Sequence, residues 1–333
     1  MPKITERNGA IDGLRGYSAI CIVMMHVLTN GEYTMSGFIF NTLIPSFADL
    51  VFLFMSISSF SMCCGYYEKI TNRTISIVGF YSKRYKKILP FFAVLCVMDF
   101  IVSPSVDAIY EVFANLTLAF GFLPNVNMKV IGVGWFLGLV FVFYIGFPFF
   151  CYLINNKKRA FVTLACALVF NILCKVKFEA GRSNITYSFV FFVVGGLIYL
   201  YYDKLVDLKK RYRLSILISL FIVSAVFFLV SQHTIVILML CALALSYAIS
   251  GRSLVLDNVV TKFLGGISME IYLSHMLVFR IIEKLRWTRP LNSELLSYFV
   301  VVILTVVGAI IFSLLIKKCL YQIERIVSKL KNR

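Results

Sequence analysis

The chain has 333 residues, of which 60% are hydrophobic and 15% charged, and a mean hydropathy of +0.88. No ordinary soluble domain has such a composition, so the chain belongs in a membrane. The formal charge of +17 would suit nucleic acid by its total, but the charges cluster at the borders of apolar runs, where anionic lipid or an anionic ligand meets them, and no nucleic-acid-binding module is visible.

Apolar runs of about 17–25 residues, the length that crosses hydrocarbon, are centred in chain order near Ile20, Met55, Leu95, Val140, Leu168, Val194, Phe221, Met239, Leu273 and Leu304. The expected fold is all-α, a polytopic integral membrane protein of about ten transmembrane helices. Residues 1–333 are expected to form one membrane-embedded helical domain with no appended soluble domain. Arg15 interrupts the first run and no small-residue cleavage pattern follows Val27, so this run is expected to be retained and not removed as a signal peptide.

With ten spans, alternate loops share a side. One set of loops, which includes both ends of the chain, holds about 25 of the 33 basic residues, and the positive-inside rule places it, with both termini, in the cytoplasm. Two loops of the opposite set are basic against this trend, "KVKFEAGR" at 175–182 and "EKLRWTRP" at 283–290, and they are candidates for lining a polar or anionic groove. The nine cysteines lie mostly in apolar runs, show no CxxC spacing and read as small buried hydrophobes; no metal site is expected.

The first span, "IDGLRGYSAICIVMMHV", carries its polar residues in a stripe. At about 100° and 1.5 Å per residue, the eleven steps from Arg15 to His26 return to nearly one helical face, roughly 16 Å apart along the axis. Asp12, three residues before Arg15, is placed for an intrahelical ion pair. An imidazole carried into the bilayer must face protein or water, and intramembrane ionisable groups mark functional sites by default; the bland alternative is a helix-start ion pair and a bonded core histidine.

Three further clusters follow. In "FYSKRYKKILPFF", Lys83, Arg84, Lys86 and Lys87 precede a span expected to begin at Ile88 with Pro90 in its first turn; so dense a group beside a helix start would make a phosphate cradle, as against ordinary positive-inside charge. In "GVGWFLGLVFVFYIGFP", Trp135 sits at the outer end of span four, where a tryptophan commonly anchors the interface. In "GGISMEIYLSHMLVFR", Ser268, Tyr272 and His275 follow i, i+4, i+7 spacing on one face with Glu270 on another, and interhelical hydrogen bonding is the alternative to chemistry.

These motifs together resemble the acyltransferase family 3 membrane proteins. The arginine and histidine of "IDGLRG…H", ten residues between them, are similar to that family's first span; "ADLVFLFMSISSF", "SKRYKKILP" and "SMEIYLSH" resemble its second span, basic loop and ninth span. The fourth span departs from the pattern, with Leu139 or Val140 where many relatives place a glutamate.

The resemblance implies transfer of an acyl group, commonly acetyl from cytoplasmic acetyl-CoA, to a hydroxyl of a cell-envelope carbohydrate. It looks most like the standalone O-acetyltransferases that modify lipopolysaccharide O-antigen in the bacterial cytoplasmic (inner) membrane. On this reading Arg15 with Lys83, Arg84, Lys86 and Lys87 holds the phosphates of the donor, Asp12 orients Arg15, and His26 is the general base or the acyl carrier. Trp135, Ser268, Glu270, Tyr272 and His275 line the acceptor side, with Arg280 or a basic loop residue as partner for Glu270. The expected partners are a lipid-linked or polymeric glycan and membrane lipid, with no nucleic acid; the oligomeric state is left open. A secondary transporter or flippase would also carry ionisable groups at the midplane but should show inverted repeats or paired broken helices, and none is found. A non-catalytic scaffold would use the same polar groups only as packing contacts.

Overall fold

The computed structural model describes residues 8–123, 128–230 and 233–331, and among these every regular element is helical. The principal helices are α1 (Gly9–Asn30), α2 (Leu50–Met62), α3 (Ile77–Val102), α4 (Val106–Thr117), α5 (Trp135–Leu153) and α6 (Lys157–Val176). They are followed by α7 (Ile185–Leu200), α8 (Lys210–Leu229), α9 (Thr234–Ile249), α10 (Val259–Gly266), α11 (Ser268–Lys284) and α12 (Glu294–Lys331). All ten apolar centres read from the sequence fall inside helices; only α4 and α10 lie outside that set.

Six segments among the described residues are long and apolar enough to cross a bilayer: Gly9–Asn30, Ile39–Thr71, Gly132–Leu153, Lys157–Val176, Lys210–Leu229 and Glu294–Leu330. Helices α7 and α9 are apolar but short. Helix α3 falls outside the set because it carries the basic cluster and Asp99; α11 is both one residue short of the needed length and charged, with Glu270, Arg280, Glu283 and Lys284. Both of these charged helices contribute to the site.

Close approach of α1 to α10 depends on glycine. A Cβ on Gly13 would stand 2.0 Å from the Leu256 carbonyl oxygen, and one on Gly265 would stand 2.1 Å from that of Asp12. The glycines of "IDGLRG" therefore let backbone meet backbone, as small residues do where helices associate in lipid. Deeper in the bundle Gly195 does the same for α7 against α2, with Ser56 donating its hydroxyl to the Phe191 carbonyl at 2.9 Å.

Hydrogen bonds sort the loops into two ends. At one, Tyr17 donates to the Val255 carbonyl (3.0 Å), and Lys262 pairs with Asp257 (2.6 Å) beside Gly9. At the other, Tyr33 donates to the Thr288 carbonyl (2.7 Å), Arg289 to that of Glu32 (2.6 Å) and Lys284 to that of Val102 (2.8 Å). Residues 1–7 and 332–333, part of the expected cytoplasmic termini, lie outside the described residues.

Helix α4 is amphipathic with its apolar stripe outward: Val106, Ile109, Tyr110 and Phe113 are exposed, at i, i+3, i+4 and i+7. Its polar face turns inward, where Glu111 accepts from the backbone N–H groups of Lys129 and Val130 at 2.7 Å each and Asn115 donates to the Val130 carbonyl at 3.1 Å. Apolar-out, polar-in is the arrangement of a helix resting against lipid.

Candidate active site

Helix α1 is capped by Asn8, whose side-chain oxygen accepts from the Ala10 and Ile11 N–H groups, so the helix is already formed where Asp12 and Arg15 occur. Asp12 is buried and lies 3.8 Å from Arg15; the Arg15 guanidinium donates to Ser61 Oγ on α2 at 2.7 Å. Ser18, Ala19 and Ile22, between Arg15 and His26 along the stripe, are buried, so the face is turned to protein throughout its length.

At the far end of the stripe the His26 and His275 rings lie 5.1 Å apart between centroids, inclined by 40°. His275 is fully buried, and its Nδ1 is 2.6 Å from the Tyr272 carbonyl oxygen. A carbonyl can only accept, so Nδ1 carries the proton and in the neutral ring Nε2 is left as a lone pair. That Nε2 is buried without a hydrogen-bond partner. The Tyr272 hydroxyl in turn donates to the Val133 carbonyl at 3.0 Å, fixing the segment that leads into α5. Phe136 packs on Tyr272 at 5.3 Å and Trp135 on Phe136 at 6.4 Å, so Trp135, Tyr272, His275 and His26 form one continuous wall.

Ser268 and Glu270 are placed elsewhere. The Ser268 hydroxyl donates to the Gly265 carbonyl, beside Asp12, and Glu270 pairs with Lys317 of α12 at 2.6 Å. The shared helical face of Ser268, Tyr272 and His275 is real, but it runs the length of α11, and its first turn belongs to the Arg15 end. Arg280, the partner considered for Glu270, instead binds Asp99 at 2.6 Å; that carboxylate also accepts from the Ile131 N–H at 2.9 Å.

The basic cluster is corrected more strongly. Helix α3 starts at Ile77, capped by Ser76 accepting from the Gly79 N–H, and Pro90 lies inside the helix rather than in its first turn. Lys83, Arg84, Lys86 and Lys87 therefore sit on a continuous helix, with no free N-terminal N–H groups beside them. At 100° per residue Lys83, Lys86 and Lys87 share one exposed face, i, i+3 and i+4, and Arg84 is turned from it toward the bundle. Arg84 is the inward member: its guanidinium hydrogen-bonds the Tyr66 hydroxyl at 2.5 Å and lies over the same ring at 4.5 Å, while Lys83, Lys86 and Lys87 are exposed.

Several residues of the site have no counterpart in the sequence reading. Tyr66 lies in a π-helical turn, Cys63–Tyr67, whose extra residue re-aims the face that follows it toward α3. Tyr144 on α5 lies beside Ser58 and within electrostatic reach of both Arg84 and Arg15. At the His26 end, Arg182 stacks over Trp135 at 5.7 Å and is within electrostatic reach of His26, Asp49 and Tyr272. The only signal for Arg182 was the charge of its loop, basic on the side expected to lack it. On the rim, burial pushes the Tyr33 phenol up to about 12, against the opposing pull of Arg289.

Among the described residues no group of three or more His, Cys, Asp or Glu side chains is arranged to hold a metal ion. The profile of an acyltransferase domain family matches residues 8–314, nearly the whole chain. The chain belongs to acyltransferase family 3. No curated protein and no solved structure matches it. Family membership and the apolar helices together describe a multi-pass membrane acyltransferase, and the match spans every helix of the site from α1 to α11.

Proposed function

We propose that the chain is a membrane O-acetyltransferase of about ten spans in a bacterial inner membrane, taking acetyl from cytoplasmic acetyl-CoA at the Arg15 end. The acceptor is a hydroxyl of an envelope polysaccharide, read as lipopolysaccharide O-antigen, presented at the His26 end. The observation that carries this reading is the α1 stripe: the Arg15 guanidinium, held by Ser61, at one end, an imidazole pair about 16 Å away at the other, and buried residues between them. Acetyl-CoA has the matching shape, a polyanionic head and a long thin arm ending in the thioester.

Arg15 and Arg84 hold the phosphates of the donor by charge-assisted hydrogen bonds, with Ser61 and Tyr66 orienting the two guanidinium groups. Lys83, Lys86 and Lys87 contribute a general attraction for the anion at the mouth. Asp12 keeps Arg15 turned inward.

At the other end, the acceptor hydroxyl gives its proton to His26 as its oxygen attacks the thioester carbonyl; the C–S bond then breaks, and the leaving thiolate takes the proton from His26. Products are the O-acetyl ester and free coenzyme A thiol. His275, its tautomer set by the Tyr272 carbonyl, offers a neutral lone pair beside His26 that stabilises the imidazolium formed in mid-reaction. The deciding experiment is thiol release from acetyl-CoA by the purified protein in lipid nanodiscs, together with O-acetyl content of the glycan in cells. Both are expected to depend on Arg15 and His26; wild-type rates in His26→Ala at normal abundance overturn the reading.

A further inference from the structure

Three cations at the His26 end already have partners. Arg280 is bound to Asp99, Arg289 to Glu294 and the Glu32 carbonyl, and Lys284 to the Val102 carbonyl. Arg182, in the loop between α6 and α7, is different: it is exposed, has no carboxylate within 4.0 Å among the described residues, and its guanidinium lies 5.7 Å from the centre of the Trp135 ring. An exposed cation–π contact is weak, so it orients the guanidinium without using up its hydrogen-bonding fork. That fork stands at the edge of the aromatic wall leading through Phe136 and Tyr272 to His275 and His26.

We propose that Arg182 is a specificity-determining residue, and that the acceptor carries an anionic group, a carboxylate or a phosphate, which Arg182 binds while a nearby hydroxyl is presented to His26. The inference rests on reading the His26 end as the acceptor side. The donor's phosphates do not explain Arg182, because they are held about 16 Å away at Arg15. The basic loop 175–182, against the charge trend of its side, is explained by the same anion. Asp49, half-buried and within electrostatic reach of Arg182, would repel such a group if Arg182 were absent, which makes this one cation decisive.

The chain has two tryptophans, Trp135 and Trp287, so Trp287→Phe leaves Trp135 as the sole indole reporter directly under Arg182. Nanodisc protein of this background is titrated with methyl glucuronide, glucose 1-phosphate and the neutral methyl glucoside while Trp135 emission is followed. A saturable change is expected with at least one anionic sugar, and which of the two binds tighter distinguishes carboxylate from phosphate. Methyl glucoside should bind about ten-fold more weakly or worse, and Arg182→Gln should weaken the anion by a similar factor, with monodisperse elution confirming its fold. Equal binding of methyl glucoside, indifference to Arg182→Gln, or no saturable response to either anion overturns the proposal. Thiol release from acetyl-CoA by the wild-type protein is measured on the same preparation: if it is present while the titration fails, only the acceptor's charge is wrong, and if it is absent, the transfer reading fails on its own.

Discussion

His275 Nδ1 lies 2.6 Å from the carbonyl oxygen of Tyr272, and this one hydrogen bond determines what the neighbouring His26 faces. With its proton committed to that carbonyl, His275 presents a bare Nε2 inside the bundle. His26→Ala should lower acyl transfer by about 10²–10⁴-fold. His275→Ala should lower kcat by roughly ten- to a hundred-fold with little change in the KM for acetyl-CoA, because it touches neither end of the donor's head. Steady-state thiol release checks both, and a KM effect in His275→Ala without loss of kcat contradicts the assigned role.

Arg15 bridges α1 and α2 through Ser61. Ser61→Ala removes one hydrogen bond to a charged group and should weaken acetyl-CoA binding by about 1–2 kcal/mol, roughly five- to thirty-fold, whereas Arg15→Ala should lose more. Isothermal titration with a non-hydrolysable thioether analogue of the donor separates this from effects on turnover. Lys83→Ala, at an exposed position, should change affinity little at physiological salt.

The backbone contact at Gly13 leaves no room for a side chain, since its Cβ would meet the Leu256 carbonyl at 2.0 Å. Gly13→Val should cost more than about 3 kcal/mol and abolish monodisperse protein. Gly16→Ala, whose Cβ would lie 3.0 Å from the Leu264 Cβ, should be tolerated far better. Thermal unfolding followed by size-exclusion chromatography in detergent gives the ranking, and a reversal of it would mean that α1 and α10 do not pack as described.

Asp99 is buried and is the anion of Arg280. Asp99→Ala leaves a partly buried guanidinium and the Ile131 N–H without their acceptor, and should cost about 2–3 kcal/mol, less than for a fully buried pair because Arg280 is itself 30% exposed. Since residues 130–134 lead from Asp99 to the Tyr272 contact, activity should fall alongside stability. The double variant Asp99→Leu with Arg280→Leu should recover part of the lost melting temperature; failure to recover any would show that the Ile131 contact dominates.

The Arg15–His26 stripe was readable without coordinates because both residues share one unbroken helix, and helical periodicity needs no tertiary information. The ion pair of Asp12 followed for the same reason. The basic cluster was misplaced where that logic was not applied far enough: Pro90 suggested a helix start, yet Ser76 caps the helix twelve residues before Ile88, and on a continuous helix Lys83, Lys86 and Lys87 share an exposed face from which Arg84 is turned away.

Composition, charge distribution and periodicity were enough to establish a helical membrane protein with its ionisable residues collected on α1, α3 and α11, since a bilayer penalises every polar group that is not where it must be. Only the tertiary structure decided which of those residues meet. That Glu270 binds Lys317 and not Arg280, that Arg84 alone of its cluster turns inward, and that Arg182 comes over Trp135 near His26 all depend on contacts between helices and loops far apart in the chain. Such contacts are set by how glycine-lined surfaces and aromatic walls pack, and no single segment contains that information.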